Sequence, residues 1–411
     1  MRPLFVKLHR WFGIGIALFL FMSGLTGAII AWNQELDATL NPGFFHARVH
    51  TPPPSLSALE LANRVEAADP RIRVTYLPLG IQPGDTLQIR VEPRIDPATR
   101  APYKVDYNQV AVDPATGDIQ GRRDWGKASL SRLNLMPFLY LFHYTLYLPA
   151  VGNGFETGMW VLGVVSIVWL FDSMIALGLA FPSLRAWRKS FAFRVKRGGY
   201  ALTFDLHRSG GVWIWGLLIV IAVTSISLNL PTQVMRPVLS LFTTLSKTPF
   251  TDVDLQPRVD ANAATLSREH IVELATQVGR ERHIGRPPGA IFYEPEQHVY
   301  GVGFFRPGGD YGDGPLGNAW TYWNASTGAL ISTGIPGRGS AGDIFLQAQF
   351  PLHSGRMFGL PGRIVVSFMG VMVATLSVTG LMIWLKKLNA RRRSAQAKAV
   401  VQVPRDERVG S

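Results

Sequence analysis

The sequence predicts a membrane α-helical fold: a four-helix transmembrane bundle with two extracytoplasmic α+β domains, arranged as an internal duplication. Three observations predict it. Four segments are apolar over the roughly 20 residues needed to cross a hydrocarbon layer about 30 Å thick. The net charge of +13, from 41 basic and 28 acidic residues, gathers beside those segments. Similar residue patterns return at an offset of about 210 positions along the 411-residue chain.

The first span lies within 1–33, its apolar run extending from about Trp11 to Trp32. That run is too long for a signal peptide and no Ala-x-Ala site follows it, so the segment is expected to stay as an anchor. An extracytoplasmic domain is expected over 34–157, and the second span over 158–181. A basic cytoplasmic loop occupies 182–210, the third span 211–230, the second extracytoplasmic domain 231–363, the fourth span 364–385 and a basic cytoplasmic tail 386–411. Asp172, in the second span, is the one charge inside any span.

Orientation follows from the flanks. Arg2, Lys7 and Arg10 precede the first span. Between the second and third spans, Arg185, Arg188, Lys189, Arg194, Lys196, Arg197 and Arg208 stand against Asp205 alone. Lys386, Lys387, Arg391, Arg392 and Arg393 follow the fourth span. Cytoplasmic segments collect such charge, so both termini are expected inside and both long loops outside. The same placement favours membrane lipid over nucleic acid as the partner of the basic residues.

The halves repeat one order of patterns. Leu8-His9-Arg10 enters the first span and Leu206-His207-Arg208 the third. Ser55-Leu56-Ser57 and Thr265-Leu266-Ser267 each read as the start of an amphipathic helix. Strand-like text follows in both halves, at Thr86–Val91 and Gln109–Val112, then at His298–Val302 and Trp320–Trp323. Each half closes in a turn, Asp113-Pro114-Ala115-Thr116-Gly117 and Asn324-Ala325-Ser326-Thr327-Gly328, with Gly where positive φ is needed. The glycine-rich run from Arg306 to Gly314 lacks the strand-to-helix setting of a phosphate loop and is expected to be a flexible surface loop.

No cysteine is present, which excludes disulfides, thiolate-held iron–sulfur clusters and zinc, and haem attached through Cys-x-x-Cys-His. A redox cofactor would need His, Met, Tyr or non-covalent packing. Four of the nine histidines occupy comparable places. His9 and His207 precede the spans that leave the cytoplasm, and His143 and His353 the spans that return. In a two-fold bundle each pair can face across the core. Neutral imidazoles are good axial ligands for haem iron, and a helix bundle supplies the apolar slot a b-type haem needs. The bland alternative is that edge histidines cap helices or meet headgroups. Glycines lie close by (Gly13, Gly15, Gly210, Gly211, Gly355, Gly359, Gly362) and would let backbones or a porphyrin plane approach. The aromatics around His143 fit an interfacial belt. Asp172 is open to three roles: orienting a ligand His, relaying a proton, or pairing structurally. His46 and His50 have metal-like spacing but lie among Pro and Gly without acidic partners, and His270, His283 and His298 belong to no constellation.

The chain resembles the PepSY-associated transmembrane proteins, often called iron-regulated membrane proteins. The carriers are the Leu-His-Arg entry with Trp11, Phe12 and Gly13, and Ser23-Gly24-Leu25-Thr26-Gly27 ending in Trp32. Others are the paired domains closing at Gly117 and Gly328, and His353-Ser354-Gly355 leading to Gly362-Arg363 and Thr379-Gly380 with Trp384. Members resembling the FoxB-type ferric-siderophore reductases carry two b haems. The resemblance implies that His9 and His207 hold an inner haem iron and His143 and His353 an outer one. It further implies a bacterial inner-membrane protein that takes electrons from a cytoplasmic or quinol donor and reduces ferric siderophores outside. In this chain the stretch after His143, with Pro149, Gly152, Asn153 and Gly154, is longer than its counterpart after His353. The rival expectations are a haem-free regulator of a protease or sensor of an external ligand, and a transporter built on repeats. Four spans without broken helices speak against the transporter.

Overall fold

The computed structural model describes residues 1–48, 56–151, 156–181, 183–257 and 264–401. Helices α1 (Arg2–Ile30), α2 (Asn33–Leu40), α3 (Pro42–Phe45) and α4 (Ala58–Ala68) lead to strands β1 (Ile72–Pro78), β2 (Leu87–Pro93), β3 (Gln109–Val112) and β4 (Ile119–Arg123). Then come α5 (Leu135–Thr145), α6 (Thr157–Ala180), α7 (Gly199–Asn229), α8 (Arg236–Ser240) and α9 (Arg268–Glu281). Strands β5 (Pro288–Glu294), β6 (Val299–Phe304), β7 (Ala319–Asn324) and β8 (Leu330–Gly334) follow, and α10 (Ala341–His353) and α11 (Gly359–Val401) finish the described chain.

Four helices, α1, α6, α7 and α11, are long and apolar enough to cross a membrane, as the sequence predicts. Their ends differ from the apolar runs: α7 begins at Gly199 rather than 211, and α11 continues to Val401. Apolarity marks the part that meets lipid, whereas the helix goes on wherever its backbone bonds are satisfied. Before α7, the Arg194 backbone N–H and guanidinium donate to the buried Asp205 carboxylate at 2.8 Å.

The chain divides into two compact units. The first takes most of α1, α6, α7 and α11. All four helices contribute to its core: Ile16 from α1, Val165 and Trp169 from α6, Ile214, Leu218 and Ala222 from α7, and Met369 and Val373 from α11. Between α1 and α11 the backbones come so close that a Cβ on Gly24 would fall 2.7 Å from the Gly370 carbonyl oxygen. Small residues at such a crossing let dispersion and weak polar contacts hold helices where lipid removes any hydrophobic drive.

The second unit is built on one antiparallel sheet with the order β4-β3-β2-β1-β5-β6-β7-β8. A helix followed by four meandering strands occurs twice, α4 with β1–β4 and α9 with β5–β8. The two α+β domains expected from the sequence share one sheet, joined through Tyr76, Leu77 and Pro78 of β1 paired with Phe292, Ile291 and Ala290 of β5. One shared core lies under the two helices, with Leu61 and Val65 of α4, Ile271 of α9, and Ile72, Ile89, Val110, Ile291, Val302 and Phe304 of the sheet all buried. Both helix starts fall where the sequence places them: the Ser57 hydroxyl accepts from the Glu60 N–H and that of Ser267 from the His270 N–H, each at 3.2 Å. Such caps are worth about 1 kcal/mol each. The matching turns also form, with Gly117 at φ 80° and Gly328 at φ 69°.

Candidate functional site

In the first unit α1 and α7 bring one histidine pair together, and α6 and α11 supply its hydrogen-bond partners. The rings of His9 (α1) and His207 (α7) lie with centroids 6.0 Å apart and planes inclined by 45°. His9 Nδ1 is 2.9 Å from Asp172 Oδ1 of α6. A carboxylate in its ionised form only accepts, and opposite that form His9 Nδ1 would carry the hydrogen. His207 Nδ1 lies 3.0 Å from the Leu376 carbonyl oxygen of α11 and donates to it. The Thr379 hydroxyl is 3.3 Å from the same nitrogen and itself donates to the Thr375 carbonyl at 2.7 Å. Gly380 admits the imidazole, because a Cβ there would fall 2.9 Å from His207 Cε1. With both Nδ1 atoms engaged by partners that accept, each ring keeps its Nε2 lone pair for a metal.

Beside these rings is a cavity of about 470 Å³. Its wall includes Trp169, Trp215, Trp384, Gly13 and Gly380 together with His9, Asp172 and His207, and its basic lining residues include Arg10, Arg208 and Lys387. The Arg208 Nε is buried and has no hydrogen-bond partner among the described residues. The volume is within the range of sites that take small organic ligands. Gly13 and Gly15 have open space where a Cβ would be, so they contribute room rather than close helix contact.

The second unit brings the other pair together. His143 stands in the last turn of α5 and His353 is the last residue of α10, with ring centroids 6.2 Å apart and planes inclined by 53°. Each helix stops just past its histidine through a left-handed residue: Leu146 at φ 53° after α5, Gly355 at φ 75° after α10. Left-handed backbone costs a residue such as Leu more than Gly, so surrounding packing must enforce the first of these ends. Burial pushes the His353 imidazole down to about 4, so it is neutral at pH 7. Tyr140 and Tyr144 flank His143 on α5 with their own rings 6.0 Å apart. Gly152, Asn153 and Gly154, in the long stretch after His143, lie outside the described residues.

Other histidines play local roles. His46 is exposed and bonds Asp85 at 3.0 Å, while His50 lies outside the described residues. His298 is buried between the Tyr293 hydroxyl, at 3.1 Å, and the Ser326 hydroxyl, at 2.7 Å, a core link that the sequence does not signal. The glycine-rich segment departs from the expected flexible surface loop. Asp313 pairs with Arg286 at 2.8 Å and with Arg306, Asp310 accepts from the Tyr76 hydroxyl at 3.0 Å, and Tyr311 lies half-buried under Arg356. Among the described residues no group of three or more His, Cys, Asp or Glu is placed to hold a bare metal ion.

Four apolar helices and a separate antiparallel sheet unit define a multi-pass membrane protein with a large extramembrane part. Residues 6–387 match the PepSY-associated TM region family, and the chain belongs to that family. No curated protein matches it in a sequence search.

Proposed function

We propose that this chain is a di-haem b electron-transfer protein of the bacterial inner membrane, which reduces ferric siderophores or other external ferric chelates on the periplasmic side. The observation that carries the reading is the gathering of four edge histidines into two ring pairs, 6.0 and 6.2 Å apart between centroids. Two imidazoles bonded to one metal ion at about 2 Å per nitrogen have their ring centroids about 6 Å apart. The Asp172 and Leu376 acceptors behind His9 and His207 are the kind of partners that orient metal-bound imidazoles. We further read the repeated helix-and-strands order as an internal duplication of two PepSY-like domains. The basic flanks support cytoplasmic termini.

A b haem with two imidazole ligands supplies one-electron exchange with no open position on its iron. The protein's residues set the conditions for that exchange. Asp172 and the Leu376 carbonyl fix which nitrogen of His9 and His207 is bare. Trp169, Trp215 and Trp384 help keep water from the first pair, and Phe138, Tyr140 and Phe142 crowd the helix that bears His143. Each Fe(III) released takes one electron and becomes Fe(II), which hard oxygen ligands hold less tightly. The donor class is a cytoplasmic reductant or a membrane quinol, the latter giving two electrons and two protons.

The reading is tested with the purified chain in vesicles that enclose a reductant. External Fe(II) should form from a ferric hydroxamate outside and fall to the level of empty vesicles in His353→Ala. Formation at the wild-type rate in that variant would overturn the reading.

A further inference from the structure

Two arginines of the second unit lie over aromatic rings rather than against an acid, although the Glu35 carboxylate, itself paired with Arg363, acts on Arg356 at longer range. The Arg90 guanidinium of β2 lies over the Trp125 ring, 4.2 Å from its centroid, and that of Arg356 lies over Tyr311 at 4.9 Å. Neither makes a hydrogen bond or ion pair among the described residues. Nearby arginines behave differently: Arg123 is bonded to Asp37 at 2.8 Å and Arg363 to Glu35 at 2.7 Å. The hydroxyls of Tyr140, Tyr144 and Tyr311 also lack a hydrogen-bond partner among the described residues, although all three side chains are half-buried.

These five groups share one place. Trp125, under Arg90, has its ring 5.8 Å from that of Tyr140, which is 6.0 Å from that of Tyr144, and the 6.2 Å approach of the His143 and His353 rings brings the helix bearing these tyrosines beside the segment bearing Arg356 and its partner ring Tyr311. Burial lowers Arg356, with the Arg363 charge adding to the effect. The nearest acid on the glycine-rich segment, Asp310, is pushed up toward its neutral form by burial and is bonded to Tyr76 at 3.0 Å. It therefore does not neutralise the arginines. None of these guanidinium nitrogens or phenol oxygens is among the sealed, unpartnered polar atoms, so they stay open to bond an oxygen-rich anion.

We infer that Arg90, Arg356, Tyr140, Tyr144 and Tyr311 form a binding site for the carboxylate groups of an anionic ligand. Guanidinium forks and phenol hydroxyls are donors matched to carboxylate oxygens, and the stacked rings hold the forks flat and pre-oriented. The site adjoins the second histidine pair in the chain: Tyr140 and Tyr144 bracket His143, and Arg356 is three residues after His353. The carboxylates have two possible sources, the acid groups of a cofactor seated at that pair, or those of an external ferric chelate. The site goes beyond the haem reading and does not require it.

The test is calorimetric titration of the full-length purified protein with citrate, with haem content measured on the same samples. The proteins are wild type, Arg90→Gln, Arg356→Gln and the corresponding Lys variants, which retain charge and check that the fold survives. Saturable citrate binding that weakens about tenfold or more in each Gln variant, is partly kept by Lys and leaves haem unchanged, supports an external carboxylate. Absent citrate binding with about half the haem lost in the Gln variants, and retained in the Lys variants, supports a cofactor carboxylate. A wild type without haem whose citrate binding depends on both arginines keeps the site and removes the haem reading instead. Gln variants equal to wild type in both measurements would overturn the site.

Discussion

His9 and Asp172 are 163 positions apart in the chain and 2.9 Å apart in the structure. A carboxylate inside a membrane span is costly unless paired, and here the pairing also decides which ring nitrogen is bare. Of the three roles open to Asp172 from sequence, this contact fits two, orienting His9 and pairing structurally.

Replacing Asp172 with Ala should therefore weaken retention of iron porphyrin at the His9–His207 pair by about 10–100-fold, the usual effect of deleting an acceptor behind a metal-bound imidazole. Asp172→Asn should keep more porphyrin but raise its midpoint potential, because the charge is gone. Redox titration and haem content of the purified variants provide the check; unchanged values in both would leave Asp172 a purely structural partner.

Gly380→Ala should disturb the same pair without touching a ligand. The new methyl falls 2.9 Å from His207 Cε1, so the ring must turn and its bond to the Leu376 carbonyl must lengthen. The haem spectrum of that half should change. Gly178→Ala, where nothing lies within 4 Å, should not alter it.

The spans and the turns were legible because each has a local signature. An apolar run of membrane length announces α1, α6, α7 and α11, and Asp or Asn four residues ahead of Gly announces the turns after β3 and β7. Strands β2, β3, β6 and β7 show apolar or alternating text. The two strands that join the halves do not: β1 ends on Pro78 and β5 opens with Pro288-Gly289, residues that usually mark breaks. Edge strands β4 (IQGRR) and β8 (LISTG) bury few side chains and so lack the apolar pattern. The β1–β5 pairing joins residues more than 200 positions apart, and no local pattern encodes it.

The candidate site was legible in its residue types and not in its supports. Histidines at the span edges can be read from the sequence alone. The Leu376 carbonyl behind His207 is a backbone atom, which no residue name signals. Tyr311 was hidden in a glycine-rich stretch that composition assigns to a loose surface. The anchoring of that stretch by Asp313 with Arg286 and Arg306 explains why composition misled.

The buried pair of Arg123 and Asp37 makes a stability prediction. Their side chains are 2% and 4% exposed, and Arg123 also bonds Gln109 at 2.7 Å and lies over the Phe44 ring. Asp37→Ala strands a buried guanidinium and should cost about 3–5 kcal/mol. Denaturant unfolding followed by tryptophan fluorescence measures it, and a loss under 1 kcal/mol, the scale of an exposed pair, would contradict the assignment.

Acid should loosen the sheet unit through Asp69 and Asp313. The Arg71 guanidinium holds the Asp69 carboxyl well below the usual carboxylate range, with the Tyr107 hydroxyl adding to it, and Arg306 and Arg286 do the same for Asp313. A carboxylate depressed in the fold contributes stability above its unfolded value of about 4, and that stability is lost as pH falls below it. Melting temperature should accordingly fall progressively from about pH 5 to well below pH 3, and Asp69→Asn should flatten that fall while lowering stability at neutral pH. An equally steep fall in the variant would show that other groups control it.

Whether each of the two histidine pairs holds a b haem is read from pyridine haemochrome quantitation of the purified full-length chain expressed with haem supply. About two haems per chain are expected in the wild type, and about one in each of His9→Ala, His207→Ala, His143→Ala and His353→Ala. A wild-type value near zero, or full haem in all four variants, would contradict the haem reading.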